Sequence, residues 1–175
     1  MIPHFLPMPK KVALFLYEDF QILDAAGPTT AFEIAEKMVP GSYRFTVISI
    51  QGGAIRSSSG LAIDSVKAGG AAPLDTLIVV GGDGSRSAMM HHASAEYLRA
   101  CAKDTRRLCS VCSGAFLLAS AGLLDRRRAT THWRRRNNCS GSFPRCASKP
   151  TVSISAMARS GHRPGSARES IWRWR

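Results

Sequence analysis

Residues 108–119, LCSVCSGAFLLA, decide the fold of this chain. A short apolar run that suits a buried strand ends at Cys112, and an apolar helical pattern begins directly after Ser113 and Gly114. This order predicts a sharp strand-to-helix turn that exposes the thiol at the tip of a sheet, as in a nucleophile elbow with cysteine in place of serine. The positive end of the helix dipole would favour the reactive thiolate. The alternative interpretation is a buried, unreactive cysteine in front of an alanine-rich helix.

Strand-like and helix-like segments alternate on the N-terminal side of this turn. We expect strands at 11–17, 43–50, 75–80 and 108–111, and helices at 24–38, 93–102 and 113–124. The polar, serine-rich stretch 56–66 ends in a further strand-like piece. Gly27-Pro28 fits a loop that leads into the first helical turn. Because several strands are apolar throughout, the pattern predicts an α/β fold with a doubly wound, mostly parallel sheet and helices on both faces.

The positive charge of the chain is concentrated in its last quarter. The 175 residues carry a net charge of +12. Residues 1–133 hold 14 Lys and Arg against 11 Asp and Glu, whereas residues 134–175 hold 10 Lys and Arg against Glu169 alone. A basic tail of this kind attracts phosphates without sequence preference. The composition therefore gives no indication of a folded DNA-binding surface.

Composition also limits the compartment and the cofactors. No run of about 18 apolar residues predicts a membrane span, and the start of the chain lacks the apolar core of a signal peptide. Five cysteines at irregular spacing predict free thiols in the cytoplasm. His91-His92 has no partners at metal-ligand spacing, and the loop 81–84 lacks the lysine of a phosphate-binding loop. We therefore expect no metal and no cofactor.

Three chemically useful groups follow strand ends. Asp24, Gly82 and Cys112 each come after a predicted strand, and ligands in doubly wound sheets bind outside the carboxyl ends of strands. Asp24 would accept or orient a proton near the Cys112 thiol, which makes these two the first catalytic candidates. Glu18 and Asp19 compete with Asp24 for this role, although they fit solvated loop charges better.

The remaining candidates surround the same predicted crevice. Gly81 and Gly82 would let backbone amides approach a ligand closely, as an oxyanion hole requires, and the Ser113 amide would be the other donor. With Gly114, these residues form the predicted ligand-binding set. His132, in the segment ATTHW, is the third catalytic candidate because cysteine with a nearby histidine is the usual activated pair. The same segment also fits the start of a structural strand.

The combined motifs resemble the PfpI-like, class I glutamine amidotransferase-like superfamily. The matching segments are LYEDFQILDAAGP (16–28), VVGGDG (79–84), VCSGAFLLASAGLLD (111–125) and RRRATTHW (126–133). Within it, the chain looks most like the N-terminal sensing domain of AraC-family transcriptional regulators, and isonitrile hydratases share several motifs. The resemblance implies a flavodoxin-like fold. Two departures are Ser113, where the family commonly has Thr, and Arg126, where it usually has Gly, so we expect a strained turn at Arg126.

The resemblance also implies what the domain does. It predicts a domain that binds a small-molecule effector ahead of a helix-turn-helix DNA-binding domain, and a homodimer in the intact family. The alternative is a cysteine-dependent hydratase or hydrolase, in which Asp24 and Cys112 match the acid and nucleophile of isonitrile hydratases.

The tail does not follow the family pattern after Trp133. Family members continue with a strand pair and a helix, and codons for residues 151–175 in a shifted frame permit the expected peptide. This predicts a frameshift, in the gene or in its sequencing, near residues 134–137. We therefore expect an amidotransferase-like domain over 10–133, with its C-terminal part incomplete, and a basic, poorly ordered tail over 134–175. Without its DNA-binding domain, the truncated chain is expected to show no specific DNA binding.

Overall fold

A seven-stranded, mostly parallel sheet forms the centre of the chain. The computed structural model describes residues 8–69 and 73–131, together with the backbone of 147–148 and 154–158. The strands are β1 (Lys10–Phe15), β2 (Tyr43–Ser49), β3 (Gly53–Arg56), β4 (Ala62–Lys67), β5 (Thr76–Val79), β6 (Arg107–Val111), β7 (Arg128–Ala129), β8 (Ala147–Ser148) and β9 (Ile154–Ala158). The helices are α1 (Ile22–Met38), α2 (Ser85–Met90), α3 (His92–Asp104) and α4 (Ala115–Ser120), the last preceded by a single 3₁₀ turn at Cys112–Gly114.

The strand order confirms the predicted fold class. The order is β3-β4-β2-β1-β5-β6-β9, and β1 lies parallel to both β2 and β5. Among the strands of the described residues, the pairs β3/β4 and β6/β9 are antiparallel and the other pairs are parallel. Central strand β1 is fully buried from Val12 to Phe15 because helices pack on both faces of the sheet. Among the described helices, none is long and apolar enough to cross a bilayer.

The first helix begins earlier than predicted. Gly27-Pro28 was expected in the preceding loop, yet α1 begins at Ile22 and Pro28 lies inside it. A proline in a helix leaves the carbonyl four residues earlier without its usual amide partner. The helix forms nonetheless, since the Gln21 amide donates to the Gly81 carbonyl (2.8 Å) and fixes its start against the sheet. A tertiary contact thus overrides the local signal.

Two elements were not predicted as separate units. Residues 53–67 form a β-hairpin, β3 and β4, in place of one serine-rich stretch ending in a strand. The six-residue helix α2 follows the loop 81–84. Neither has a long apolar period, which explains why the sequence pattern does not reveal them.

The helix after Cys112 is shorter than the predicted 113–124. It ends at Ser120, although Leu124 still packs in the core at 3% exposure. The turn that follows contains Arg126 at φ +57°, a conformation that favours glycine. The strain expected at Arg126 is confirmed.

Parts of the predicted tail form strands. Strands β8 and β9 lie within 134–175, and β9 pairs with β6 at the sheet edge. The remaining residues of the tail lie outside the described part of the chain. The domain boundary at residue 133 and the frameshift therefore stay predictions.

Candidate functional site

Cys112 lies where strand β6 gives way to a helical turn. Its backbone has φ +51°, which a non-glycine residue adopts at a cost of about 1–2 kcal/mol. The Thr131 hydroxyl donates a hydrogen bond to the Cys112 carbonyl (3.1 Å), which helps to hold this conformation. The thiol is half-buried at the carboxyl edge of the sheet. The order of strand, cysteine and helical turn is the one that the sequence predicts, whereas a nucleophilic role of Cys112 stays a prediction.

Asp24 reaches the same edge from the first turn of α1. Its Oδ2 accepts a hydrogen bond from the Gly81 amide (3.1 Å), and the carboxylate is also hydrogen-bonded to the Cys112 thiol. A Cβ added to Gly81 would lie 2.6 Å from Asp24 Oδ2 and 2.8 Å from Cys112 Cβ. Only glycine at this position leaves room for the carboxylate and the thiol to meet.

Ser113 ties the glycine loop to the turn. Its buried hydroxyl accepts a hydrogen bond from the Gly82 amide (2.9 Å) and donates to the Gly82 carbonyl (3.0 Å). Gly82 has φ +147°, and an added Cβ would lie 2.6 Å from the Gln21 amide nitrogen. The pairing with Ser113 and the tight approach to Gln21 together fix the backbone of the loop.

These contacts change the interpretation of the predicted oxyanion hole. The amides of Gly81 and Gly82 already donate to Asp24 and Ser113, so both are engaged within the protein. Their observed contacts position the carboxylate and the hydroxyl. Gly114 is buried, and an added Cβ would lie 2.6 Å from the Val80 carbonyl oxygen, so its missing side chain permits close packing. Ligand binding by these residues stays a prediction.

The electrostatics of the site oppose the thiolate. Burial raises the pKa of the Cys112 thiol, and the negative charge of Asp24 raises it further. Hydrogen bonds from the backbone and hydroxyl of Ser113 lower the pKa, but they do not outweigh the first two causes. The Ser113 amide at the start of the helical turn thus favours the thiolate as expected, but burial and Asp24 outweigh it, so the predicted low pKa of Cys112 is not found. The surroundings of Cys112 therefore favour the thiol form.

The other sequence candidates are placed as follows. His132 lies outside the described residues, so its catalytic role stays a prediction. Thr131, its neighbour, contacts the Cys112 backbone and was missed, although it belongs to the same ATTHW motif. Glu18 and Asp19 are exposed, and the Glu18 carboxylate accepts from the Arg56 amide (3.2 Å). Asp24 is thus the carboxylate that reaches the thiol.

Metal ligation has no support in the described chain. Residues 8–69 and 73–131 contain no group of three or more His, Cys, Asp or Glu side chains arranged to hold a metal ion. His92 instead faces Glu96 one helical turn away on α3 (3.2 Å), and both side chains are largely exposed.

Comparison with known proteins identifies the class. The sequence profile of the DJ-1/PfpI family matches residues 10–158, and the chain belongs to this family. An AraC family transcriptional regulator from Pseudomonas putida has a similar structure, with a TM-score of 0.71 and 25% identity over 82% of this chain and 77% of that one. The resemblance found in the motifs is thereby confirmed.

Curated relatives fall into more than one functional group. An uncharacterized protein in the cpoL 5' region of Streptomyces lividans is 40% identical over 71% of this chain and 89% of its own length. The HTH-type transcriptional regulator GbdR of Pseudomonas aeruginosa is 32% identical over 79% of this chain, which spans 38% of that protein. Isonitrile hydratase of Pseudomonas putida is 30% identical over 72% of this chain, which spans 54% of the enzyme.

Proposed function

We propose that this chain is the effector-sensing domain of an AraC-type transcriptional regulator. The similarity to GbdR carries this proposal, because it covers 79% of this chain but only 38% of the regulator. The similar fold of an AraC family regulator supports it independently. The raised pKa of Cys112 also supports it, since a protonated thiol lines a binding site better than it attacks a substrate.

The effector would bind at the edge where Asp24 and Cys112 meet, with Gly81, Gly82, Ser113 and Gly114 around it. A thiol and a carboxylate that share hydrogen bonds suit a small molecule with both a polar and an apolar part. We propose that His132 adds a further polar contact to this site. The free thiols of the described residues also fit action in the cytoplasm, where cysteines stay reduced.

A thermal-shift screen of small amines, carboxylates and amides tests the sensing role. A compound present at 100 times its Kd should stabilise the fold by about 2.7 kcal/mol. The Asp24→Asn and Cys112→Ala variants should lose this shift, whereas Lys103→Gln, an exposed change on α3, should keep it. A shift that survives both site variants would place the effector elsewhere.

A cysteine-dependent hydratase is the second candidate. The pairing of Cys112 with Asp24 and the 30% identity to isonitrile hydratase favour it. The thiol sulfur would add to the isonitrile carbon while its proton passes through Asp24 to that carbon, which gives a thioimidate. Water would then add to the same carbon, and breaking of the C–S bond would release the N-substituted formamide and restore the protonated thiol. Turnover of cyclohexyl isonitrile that disappears in Cys112→Ala would establish this activity. If the isonitrile is converted no faster than in buffer, the hydratase activity is excluded and the sensing role is the function that stays proposed.

We propose that the chain shows no sequence-specific DNA binding. The positive charge is concentrated in residues 134–175, so any binding should weaken steeply with salt and show no preference among sequences. Gel shifts at physiological salt with several DNA sequences test this. A clear preference for one sequence would contradict the proposal. The coding DNA around residue 134 tests the frameshift directly.

We further propose that the domain forms a homodimer through the outer face of α1. Leu23, Ile34 and Met38 are 72%, 52% and 77% exposed on one side of this helix. Sedimentation velocity should give a dimer for the wild type and a monomer for Ile34→Glu. The matched change Leu61→Glu, at another exposed apolar residue, should leave the dimer intact.

A further inference from the structure

A second cleft lies on the sheet face opposite α1. Phe32 of α1 packs against Tyr43 and Phe45 of β2, so the alternate residues Arg44 and Thr46 point to the other face. There they line a cleft of about 240 Å³. It is bounded on one side by Tyr97 of α3, and it is separate from the edge that carries Cys112.

Two cations line this cleft. Lys11 and Arg44 are direct partners on the parallel strands β1 and β2. Adjacent strands lie about 4.8 Å apart, so two like charges meet here at a cost that an anion would remove. Lys67 borders the cleft at the end of β4, but it pairs with Ser49, whose hydroxyl is bonded to that of Ser65, so its side chain lies on the other face of the sheet. Within residues 8–69 and 73–131, neither Lys11 nor Arg44 forms an ion pair.

The nearby carboxylate is already neutralised. The Asp75 amide donates to the Lys11 carbonyl (2.9 Å), which brings this residue close to the cleft. Its side chain, however, accepts two hydrogen bonds from Arg106, at 2.6 and 2.7 Å. A bidentate pair of this kind leaves little charge to balance Lys11. Lys11 and Arg44 therefore face this cleft without an ion-pair partner among the described side chains.

The floor of the cleft is apolar. Ala13, Ile48, Val66 and Leu74 line it, and the Tyr97 ring stacks on Phe15 with ring centroids 5.7 Å apart. We propose that this cleft binds a small organic anion, in which a phosphate or carboxylate contacts Lys11 and Arg44 and a compact apolar body lies on the floor. The planar guanidinium of Arg44 suits two oxygens of either group.

Calorimetric titration with phenyl phosphate tests the proposal, with phenylacetate as the carboxylate probe and benzyl alcohol as the neutral control. At least one anion should bind saturably, with one molecule per chain, whereas benzyl alcohol should not. Lys11→Gln/Arg44→Gln should weaken that binding at least tenfold. The control Arg86→Gln/Lys103→Gln removes two exposed charges elsewhere and should change it less than twofold.

The outcome separates this cleft from the effector site. Cys112→Ala should bind the anion as the wild type does, whatever becomes of the proposed sensing function. Equal weakening in both double variants would show non-specific attraction to a basic protein, the tail included, and would overturn the proposal. So would unchanged binding in Lys11→Gln/Arg44→Gln, or no binding of either anion at 10 mM. Circular dichroism of each variant confirms that it is folded.

Discussion

Cys109 and Cys112 are three residues apart, yet they have different environments. Cys109 lies within β6 opposite Ile78, and burial raises the pKa of its thiol to about 11. Cys112 lies just beyond the strand, where Asp24 adds to the effect of burial and Ser113 opposes it. Burial by itself yields an inert packing residue. The difference between the two thiols is therefore the set of polar partners that the glycine loop brings to Cys112.

Gly81→Ala should have the largest effect on this difference. The new methyl group would meet Asp24 Oδ2, the Ser113 amide and Cys112 Cβ, all within 2.8 Å. We expect a loss of about 2–4 kcal/mol in the free energy of unfolding, measured by urea denaturation. The Cys112 thiol should also separate from Asp24, while Cys109 is unchanged.

Gly27→Ala is the matched control for that variant. Gly27 lies inside α1, and an added Cβ there has no atom within 4 Å. Alanine favours helix, so this change should stabilise the fold by about 0.4–1 kcal/mol. If both alanine variants had the same effect, the tight contact at Gly81 would be contradicted.

Ser113→Ala should have the next largest effect. It leaves the amide and carbonyl of Gly82 without their partner, at a cost of about 1–3 kcal/mol in unfolding free energy. Ser113→Thr keeps the hydroxyl and should retain most of that stability. Ser120→Ala removes only a local bond to Leu117 and should cost less than about 0.5 kcal/mol. A loss of stability in Ser113→Ala no larger than in Ser120→Ala would contradict the stabilising role of the two hydrogen bonds between Ser113 and Gly82.

The pH dependence of stability tests the Cys109 side of the comparison. Its folded pKa of about 11 lies above the ordinary value of about 8.5, so the unfolded chain loses this proton first. Stability is therefore complete below about pH 8.5 and falls as the pH rises toward about 11, by about 3 kcal/mol. Urea denaturation of the wild type and of Cys109→Val measures this. The valine variant should lose less stability over that range. An equal loss in both proteins would show that the Cys109 thiol does not cause the pH dependence.

The smallest change in the free energy of unfolding is expected for Asp75→Asn, which removes the ion pair with Arg106 away from both cysteines. Asp75→Asn removes the paired charge on Arg106, which is itself about half exposed, so the cost should be about 0.5–1 kcal/mol. Burial raises the pKa of Asp75, but the bonds from Arg106 and Thr76 hold it below its ordinary value. This contribution is therefore present above about pH 4 and is lost as the pH falls further. Acid denaturation should show the loss in the wild type and not in Asp75→Asn.

The sequence predicts the parts of the fold that depend on apolar periodicity. The buried strands β1, β5 and β6 and the turn at Cys112 follow from runs of apolar residues and the glycine after the strand. The start of α1 does not, since a contact between Gln21 and Gly81 outweighs the local signal of Pro28. The hairpin β3–β4 is likewise set by pairing between residues that lack a strong pattern.

The candidate site was predictable in its members but not in its electrostatics. Asp24, Gly81, Gly82, Ser113 and Cys112 do come together, because each lies at the carboxyl edge of the sheet. The direction of the Cys112 pKa depends on the balance between Asp24, burial and the hydrogen bonds of Ser113. That balance requires distances, which a sequence does not contain. The hydrogen bonds of the Gly81 and Gly82 amides to Asp24 and Ser113 could not be predicted for the same reason.

Alkylation by iodoacetamide as a function of pH, followed for each cysteine by peptide mass spectrometry, tests the coupling of Asp24 and Cys112 most directly. Asp24→Asn keeps an oxygen for the Gly81 amide and removes only the charge. We predict that the pH midpoint of Cys112 alkylation in the wild type lies above the ordinary thiol pKa of about 8.5. In Asp24→Asn the midpoint of Cys112 should be lower, whereas the midpoint of Cys109 should be the same as in the wild type. A wild-type midpoint at or below 8.5 that the substitution does not move would contradict the account.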